Sequence, residues 1–144
     1  MTFKSERGQA LIETALTLPI VLVLSISIFE FGRAFQTWQI LTNAAREGAR
    51  VATLPGTTQT MVRNRVLQYM EAGRLDNSAA DQISVTPKQI DMGGGPVSAS
   101  EITISYPYSF MVLNPVMRLV SSGSTVGTPI TMSASAVMRN ESPN

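Results

Sequence analysis

An uncharged apolar run near the N-terminus constrains this chain more than any other feature. The 16 residues from Thr14 to Phe29 carry no charge. With Ala10–Ile12 before them and Phe31 after them, the segment reaches about 20 residues, which is the length of helix that spans a bilayer core of about 30 Å. Pro19 lies inside the run, where we expect a simple bend that a membrane helix tolerates. We therefore predict a transmembrane helix at about residues 10–31.

Two other interpretations of the run were weighed against a membrane helix. A cleaved secretory signal has a shorter apolar core, which small residues at a cleavage site follow. Here the run is followed by Glu30-Phe31-Gly32-Arg33. A buried helix of a soluble protein is rarely so uniformly apolar. Hydropathy therefore favours the membrane helix over both alternatives.

The charges that flank the run predict its orientation. Lys4 and Arg7 precede it and are offset partly by Glu6. Because basic flanks favour the cytoplasmic side, we expect residues 1–8 to form a short cytoplasmic leader. The C-terminal part, residues 57–144, would then be an extracytoplasmic domain of a single-pass membrane protein.

Composition narrows the classes of function. Hydrophobic residues make up 44% of the chain and charged residues only 15%, whereas about 25% charged residues is usual in soluble domains. A net charge of +1 with scattered basic residues predicts no nucleic-acid partner. The chain contains no Cys and no His, so thiolate chemistry is excluded and the commonest general base and metal ligand are absent. We expect no enzyme activity, no cofactor and no metal, and an anchored enzyme is the least favoured hypothesis.

The helical pattern continues beyond the apolar run, and one long helix over residues 9–53 is predicted. Leu54-Pro55-Gly56 should end it, because the residue before proline leaves the helical region. Large side chains near the membrane and small ones farther out recur every three or four positions and form one stripe. We predict that the outer part of this stripe packs on the chain's own outer domain, while the membrane half packs against lipid or other subunits. The stripe consists of Phe31, Phe35, Trp38, Thr42, Ala45, Ala49 and Ala52.

Two pairs of opposite charge lie three residues apart on the same helix. They are Glu30 with Arg33 and Glu47 with Arg50. We expect both pairs to lie on solvated faces, where each contributes about 0.2 to 0.5 kcal/mol.

The remainder of the chain predicts a small α+β domain. Residues 59–72 have helical spacing, and three later segments alternate apolar and polar residues, as antiparallel strands with one buried face do. These strands begin near Ile83, Ile102 and Ile130. The apolar segment at residues 110–120 leaves two possibilities open: a small helix over the sheet, or an apolar patch for a partner.

Glu13 is the least expected residue of the N-terminal segment. A carboxylate deep in a bilayer costs about 2.5 to 3.5 kcal/mol on insertion scales, and less near the interface. It either complements the positive end of the helix or requires a cation from a partner.

The residues around Glu13 resemble a type IV prepilin processing site, Gly8-Gln9-Ala10-Leu11-Ile12-Glu13. The resemblance implies that a membrane prepilin peptidase cuts between Gly8 and Gln9. It also implies that Glu13 pairs with the new N-terminal amine of a neighbouring subunit. An ammonium and a carboxylate attract strongly at low dielectric, which would fix the register between subunits.

A wider set of motifs resembles the TadE-like family, the pilin-like minor components of tight-adherence pilus systems. The motifs are Arg7-Gly8-Gln9-Ala10-Leu11-Ile12-Glu13, Leu16-Thr17-Leu18-Pro19, Phe29-Glu30-Phe31-Gly32-Arg33-Ala34 and Asn43-Ala44-Ala45-Arg46-Glu47-Gly48-Ala49-Arg50. This resemblance implies a pilin-like fold, a place in the inner membrane, and a pseudopilin or minor pilin that takes part in assembly of a pilus or secretion apparatus. The implied partners are the lipid bilayer, other pilin-like subunits, the prepilin peptidase and the pilus assembly machinery. The alternative is an uncleaved single-pass envelope protein whose outer domain binds a protein partner.

Overall fold

The computed structural model describes residues 6–76, 82–91, 93–120 and 127–141. Their arrangement confirms the predicted α+β class, with a long N-terminal apolar helix, a short second helix and a three-stranded antiparallel sheet. A third short helix lies between the last two strands. In chain order the elements are helix α1 (Glu6–Ala52), helix α2 (Gln59–Ala72), strand β1 (Ile83–Asp91), strand β2 (Pro96–Tyr108), helix α3 (Leu113–Val120) and strand β3 (Ile130–Arg139).

Helix α1 is continuous through Pro19 and begins at Glu6, three residues before the predicted start. Residues 6–8 are therefore helical, and residues 1–5 of the predicted leader lie outside the described residues. After the predicted stop, Thr58 caps α2: its side chain accepts a hydrogen bond from the backbone N–H of Met61 at 3.3 Å. Threonine favours this position because its side chain satisfies an N–H that has no partner within the helix.

The sheet has the order β1-β2-β3, with both pairs antiparallel. Ile104 of β2 lies opposite Ile83 of β1 and opposite Ala134 of β3. All three side chains are buried, so the apolar face of each strand points to one core, as the alternation predicted.

The chain divides into two compact units. One comprises Met1–Arg33 and Phe110–Thr128, and the other comprises Ala34–Ser109 and Pro129–Asn144. Helix α1 contributes to both units, and α3 belongs to the first.

The second unit holds the hydrophobic core. Its buried residues come from the second half of α1, from α2 and from all three strands. They are Leu41, Ala44, Ala45, Ala49, Val62, Val66, Met70, Ile83, Ala99, Ile102, Ile104, Tyr106, Tyr108 and Ala134. The backbone N–H of Glu141 donates to the carbonyl oxygen of Thr53 at 3.0 Å, which ties the residues after β3 to the end of α1.

Candidate functional site

The predicted processing site lies in the first turn of α1. Gly8 is partly exposed and Gln9 is exposed, and both are helical. Glycine costs about 1 kcal/mol relative to alanine in a helix. Gly8 therefore weakens the helix at the bond between Gly8 and Gln9.

Glu13 lies one turn farther along α1, and its side chain is exposed. It is four residues from Gln9, about 6 Å along the axis at 1.5 Å per residue. Within the described part of the chain, no cation lies within ion-pairing distance of its carboxylate. An acid in this position can take a cation from a second molecule.

The side chains around Glu13 form an apolar surface that is exposed in the part of the chain that the structure describes. In the part of α1 that belongs to the first unit, large apolar side chains that are 49% to 74% exposed occur on all sides of the helix. They are Leu11, Ile12, Leu16, Leu18, Ile20, Val21, Leu22, Val23, Leu24, Ile28, Phe29 and Phe31. Among the described residues, this helix alone is long and apolar enough to cross a membrane, judged by length and composition.

The hydroxyl groups of this segment are satisfied within the helix. Thr17 donates to the carbonyl oxygen of Glu13 at 2.9 Å, and Ser25 donates to that of Val21 at 2.8 Å. Thr14 and Ser27 make the same bond to the carbonyl four residues earlier. A hydroxyl bonded in this way does not require water, so these residues suit a helix surrounded by lipid.

A second acidic site lies at the end of the apolar run. Glu30 is only 2% exposed, and its carboxylate pairs with Arg33 at 3.0 Å. The same carboxylate accepts hydrogen bonds from the backbone N–H groups of Val112 and Leu113, the latter at 3.3 Å. The prediction of a solvated pair was therefore wrong for Glu30, because the backbone at residues 112–113 supplies two donors that replace water.

Through these contacts the Glu30 side chain, which belongs to another helix, satisfies the first N–H groups of α3. The N–H of Val116 donates to the carbonyl oxygen of Val112 at 3.1 Å, which places Val112 at the cap position. At the other side of this turn the amide of Asn114 donates to the carbonyl oxygen of Gly127 at 2.9 Å. Gly127 has a φ of +77°, and a Cβ there would lie 2.8 Å from the backbone nitrogen of Asn114, so glycine is required at this position.

The second charge pair forms part of a larger cluster in the second unit. Glu47 accepts hydrogen bonds from Arg50 at 2.8 and 3.0 Å, and from Arg65 of α2 at 2.8 and 2.9 Å. These two guanidinium groups, Arg50 first, lower the pKa of Glu47 from 4.5 to about 2. The cluster joins α1 to α2, which the sequence pattern of an isolated pair did not reveal.

The residues of α1 that were predicted to pack against other elements differ in burial. Ala45 and Ala49 are fully buried in the core of the second unit. Phe31 is 73% exposed, Phe35 is 51% exposed and Trp38 is 45% exposed. Pro19 is exposed as well.

The buried stripe of α1 in the second unit is therefore rotated relative to the predicted one. It consists of Thr37, Leu41, Ala44, Ala45, Gly48 and Ala49. The aromatic pair Phe35 and Trp38, with ring centroids 6.1 Å apart, lies beside this stripe.

The described residues contain no group of three or more acidic side chains that could hold a metal ion. The geometry offers instead a long exposed apolar helix with an acid near its start that has no cation partner among the described residues. Together with the small α+β unit, this helix defines a class of proteins in which one N-terminal helix of membrane-spanning length precedes a folded unit.

The model of the family described as TadE-like protein matches residues 8–50, a stretch that lies wholly within α1. This match confirms the resemblance predicted from the motifs, and the chain carries a TadE-like segment. The segment indicates a protein associated with tight-adherence pili. No curated protein and no solved structure matches the chain.

Proposed function

We propose that this protein is a membrane-anchored pilin-like subunit, a pseudopilin or minor pilin, that takes part in assembly of a tight-adherence pilus or secretion apparatus. One observation carries the proposal: the TadE-like segment coincides with a helix whose first half exposes apolar side chains and the acid Glu13. Such a helix needs lipid or other apolar helices around it.

The proposed processing step removes residues 1–8. A peptidase requires an extended substrate, and Gly8, which costs about 1 kcal/mol relative to alanine in a helix, lowers the cost of opening α1 at the bond between Gly8 and Gln9. Cleavage gives Gln9 a free ammonium group at the start of the helix. Because the next acid is Glu13, about 6 Å farther along the axis, the new charge reaches the depth of a neighbour's Glu13 when the two helices are offset by about one turn.

The pairing of Gln9 with a neighbour's Glu13 then sets the register between helices. Each group alone would pay a desolvation cost in lipid, and the pair offsets part of that cost. From that offset, a further shift of one helix by a turn, about 5.4 Å, would separate the two charges. The pair therefore supplies specificity to an assembly that apolar packing alone would leave free to slide.

In this proposal the chain is not an enzyme, and it acts through its partners. It lies in the inner membrane as a single-pass protein, with the N-terminus in the cytoplasm and the folded unit outside. Its partners are the bilayer, other pilin-like subunits, the prepilin peptidase, for which it is a substrate, and the pilus assembly machinery.

The second candidate is an uncleaved single-pass envelope protein whose outer unit binds a protein partner. The start of α1 at Glu6 favours it, because the helix continues unbroken across the proposed cut. In this case Glu13 is an interfacial acid and residues 1–8 are retained.

The intact mass of the protein from its native membranes separates the two candidates. A mass that begins at Gln9 supports the pilin-like subunit, and Gly8→Leu should restore the full-length mass by blocking the cut. Gly32→Ala is the matched control, since Gly32 lies in the same helix far from the cut. A full-length wild-type mass, in cells that process other prepilins, would show that the cleavage proposal is wrong.

A further inference from the structure

The tether between α1 and α3 fixes where α3 lies along the apolar helix. Glu30 follows Phe29, the last residue of the uncharged run, and it holds the backbone of Val112 and Leu113. The start of α3 is therefore at the depth at which the predicted span of α1 ends.

Apolar side chains surround this tether. On α1, Phe29 is 53% exposed and Phe31 is 73% exposed, and on the chain leading into α3, Met111 is 63% exposed. Val112 and Leu113 are partly exposed. The apolar surface that begins on the membrane half of α1 thus continues onto residues 111–113, where Glu30 is buried and its partner Arg33 is 30% exposed beside it.

The sequence of α3 suits the boundary between lipid and water. Its eight residues, LNPVMRLV, contain one charge, Arg118, which is exposed, and apolar residues at helical spacing. Short amphipathic helices of this kind lie in the interface, with apolar side chains toward the acyl chains and basic side chains toward the headgroups. A long arginine side chain near that boundary reaches the phosphate groups of anionic lipids.

We propose that residues 110–118 form a second membrane contact, in which Met111 and the apolar side of α3 insert into the interface of the leaflet where the span of α1 ends. This inference rests on the proposed membrane anchoring by α1. The occupant of the apolar surface is lipid, because the surface is continuous with the side chains of α1 that the bilayer itself surrounds. Glu30 acts as the positioning residue that holds the segment at this depth.

The absence of cysteine from the chain allows a direct test with single spin labels. The full-length protein is reconstituted into vesicles of phosphatidylethanolamine and phosphatidylglycerol with a label at Met111→Cys. Leu22→Cys in the apolar run and Ser133→Cys on the exposed side of β3 serve as controls. Each label is scored for collision with oxygen, which concentrates in lipid, and with a nickel chelate, which stays in water.

The inference predicts that the Met111 label prefers oxygen over the chelate, at a shallower depth than the Leu22 label, while the Ser133 label prefers the chelate. If the Leu22 label lies in lipid and the Met111 label lies in water, the second contact is wrong and the anchoring by α1 stands. If the Met111 label is shielded from both reagents, protein rather than lipid covers it, which also overturns the inference. If the Leu22 label lies in water, the anchoring itself fails, and the inference fails with it.

Discussion

The carboxylate of Glu30 accepts a hydrogen bond from the backbone N–H of Leu113 at 3.3 Å, although 83 positions separate the two residues. The first four N–H positions of a helix have no partner within it. At the start of α3, the Glu30 carboxylate accepts hydrogen bonds from the N–H groups of Val112 and Leu113, and Pro115 has no N–H group. An acid on one helix thus caps another helix that, at eight residues, is too short to be stable by itself.

Removal of this cap should loosen α3 selectively. We expect Glu30→Ala to reduce the local stability of the segment by about 1.5 to 3 kcal/mol, the usual range for hydrogen bonds to a charged group. Hydrogen exchange at the amides of Val112 and Leu113, measured by mass spectrometry on peptides of the full-length protein, should become faster. Glu13→Ala is the matched control, because its carboxylate lies on the same helix and is exposed. Unchanged protection of residues 110–116 in Glu30→Ala would contradict the capping role.

At Gly48, α1 lies close to α2 and β2. A Cβ there would lie 2.5 Å from Cγ2 of Val66 and 3.4 Å from Cγ2 of Ile102. Alanine improves helix propensity by about 1 kcal/mol, but overpacking a core costs about 1 to 3 kcal/mol. We expect Gly48→Ala to lower the free energy of unfolding by about 1 kcal/mol, as measured by urea denaturation in detergent.

Two companion variants test that explanation. Gly32 lies in the same helix with nothing within 4 Å of its Cβ position, so Gly32→Ala should leave stability unchanged or raise it. In the double variant Gly48→Ala with Val66→Ala, the clash with the Val66 side chain is gone. The losses in unfolding free energy of the two single variants should therefore not add. Strict additivity of the two single changes would show that the contact with Val66 is not the cause.

The sequence was sufficient to predict the elements whose signals are local. The apolar run that ends at Phe29 lies in α1, and the proline after Leu54 follows the end of that helix. The alternation predicted three strands, although β2 begins at Pro96, six residues before the predicted start near Ile102. The cap by Glu30 was missed because its donors are backbone groups 82 and 83 positions away, which leave no mark in side-chain pattern. The spacing to Arg33 suggested instead an ordinary exposed pair.

The stripe on α1 shows a second limit of local patterns. The predicted stripe included Phe35 and Trp38, but these side chains are about half exposed, and the core takes Leu41, Ala44 and Gly48. Which side of a helix is buried depends on the shape of its partner. Here Val66 comes so close to α1 that a Cβ at position 48 would force its side chain to shift.

The cluster around Glu47 should make the stability of the second unit depend on pH. Arg50 and Arg65 lower the pKa of Glu47 from 4.5 to about 2, so the folded state favours the carboxylate. The contribution to stability is therefore complete above about pH 4.5 and is lost as the pH falls toward 2. We expect the difference in unfolding free energy between the wild type and Glu47→Gln to shrink across this range. Glu71→Gln, at an exposed site on α2, is the control, and a difference that stays constant from pH 6 to about pH 2 would contradict the prediction.

Assembly should depend on the charge of Glu13 rather than on its size. Glu13→Gln keeps the shape of the side chain and lowers the cost of placing it in lipid, so membrane insertion should be at least as good as in the wild type. If Glu13 pairs with the N-terminal ammonium of a neighbouring subunit, the same variant should fail to enter the assembly, because the ammonium then lacks its counter-charge. The measurement compares membrane levels of the protein with its cross-linking to other subunits and with the pili on the cell surface.

Glu71→Gln, which removes one carboxylate from the folded unit, should leave the membrane level, the cross-linking and the pili unchanged. Normal levels and normal pili in Glu13→Gln would show that the acid does not set the register. Normal levels with lost cross-links would identify a defect in pairing and not in folding, because Glu13 contacts no cation within the described part of its own chain.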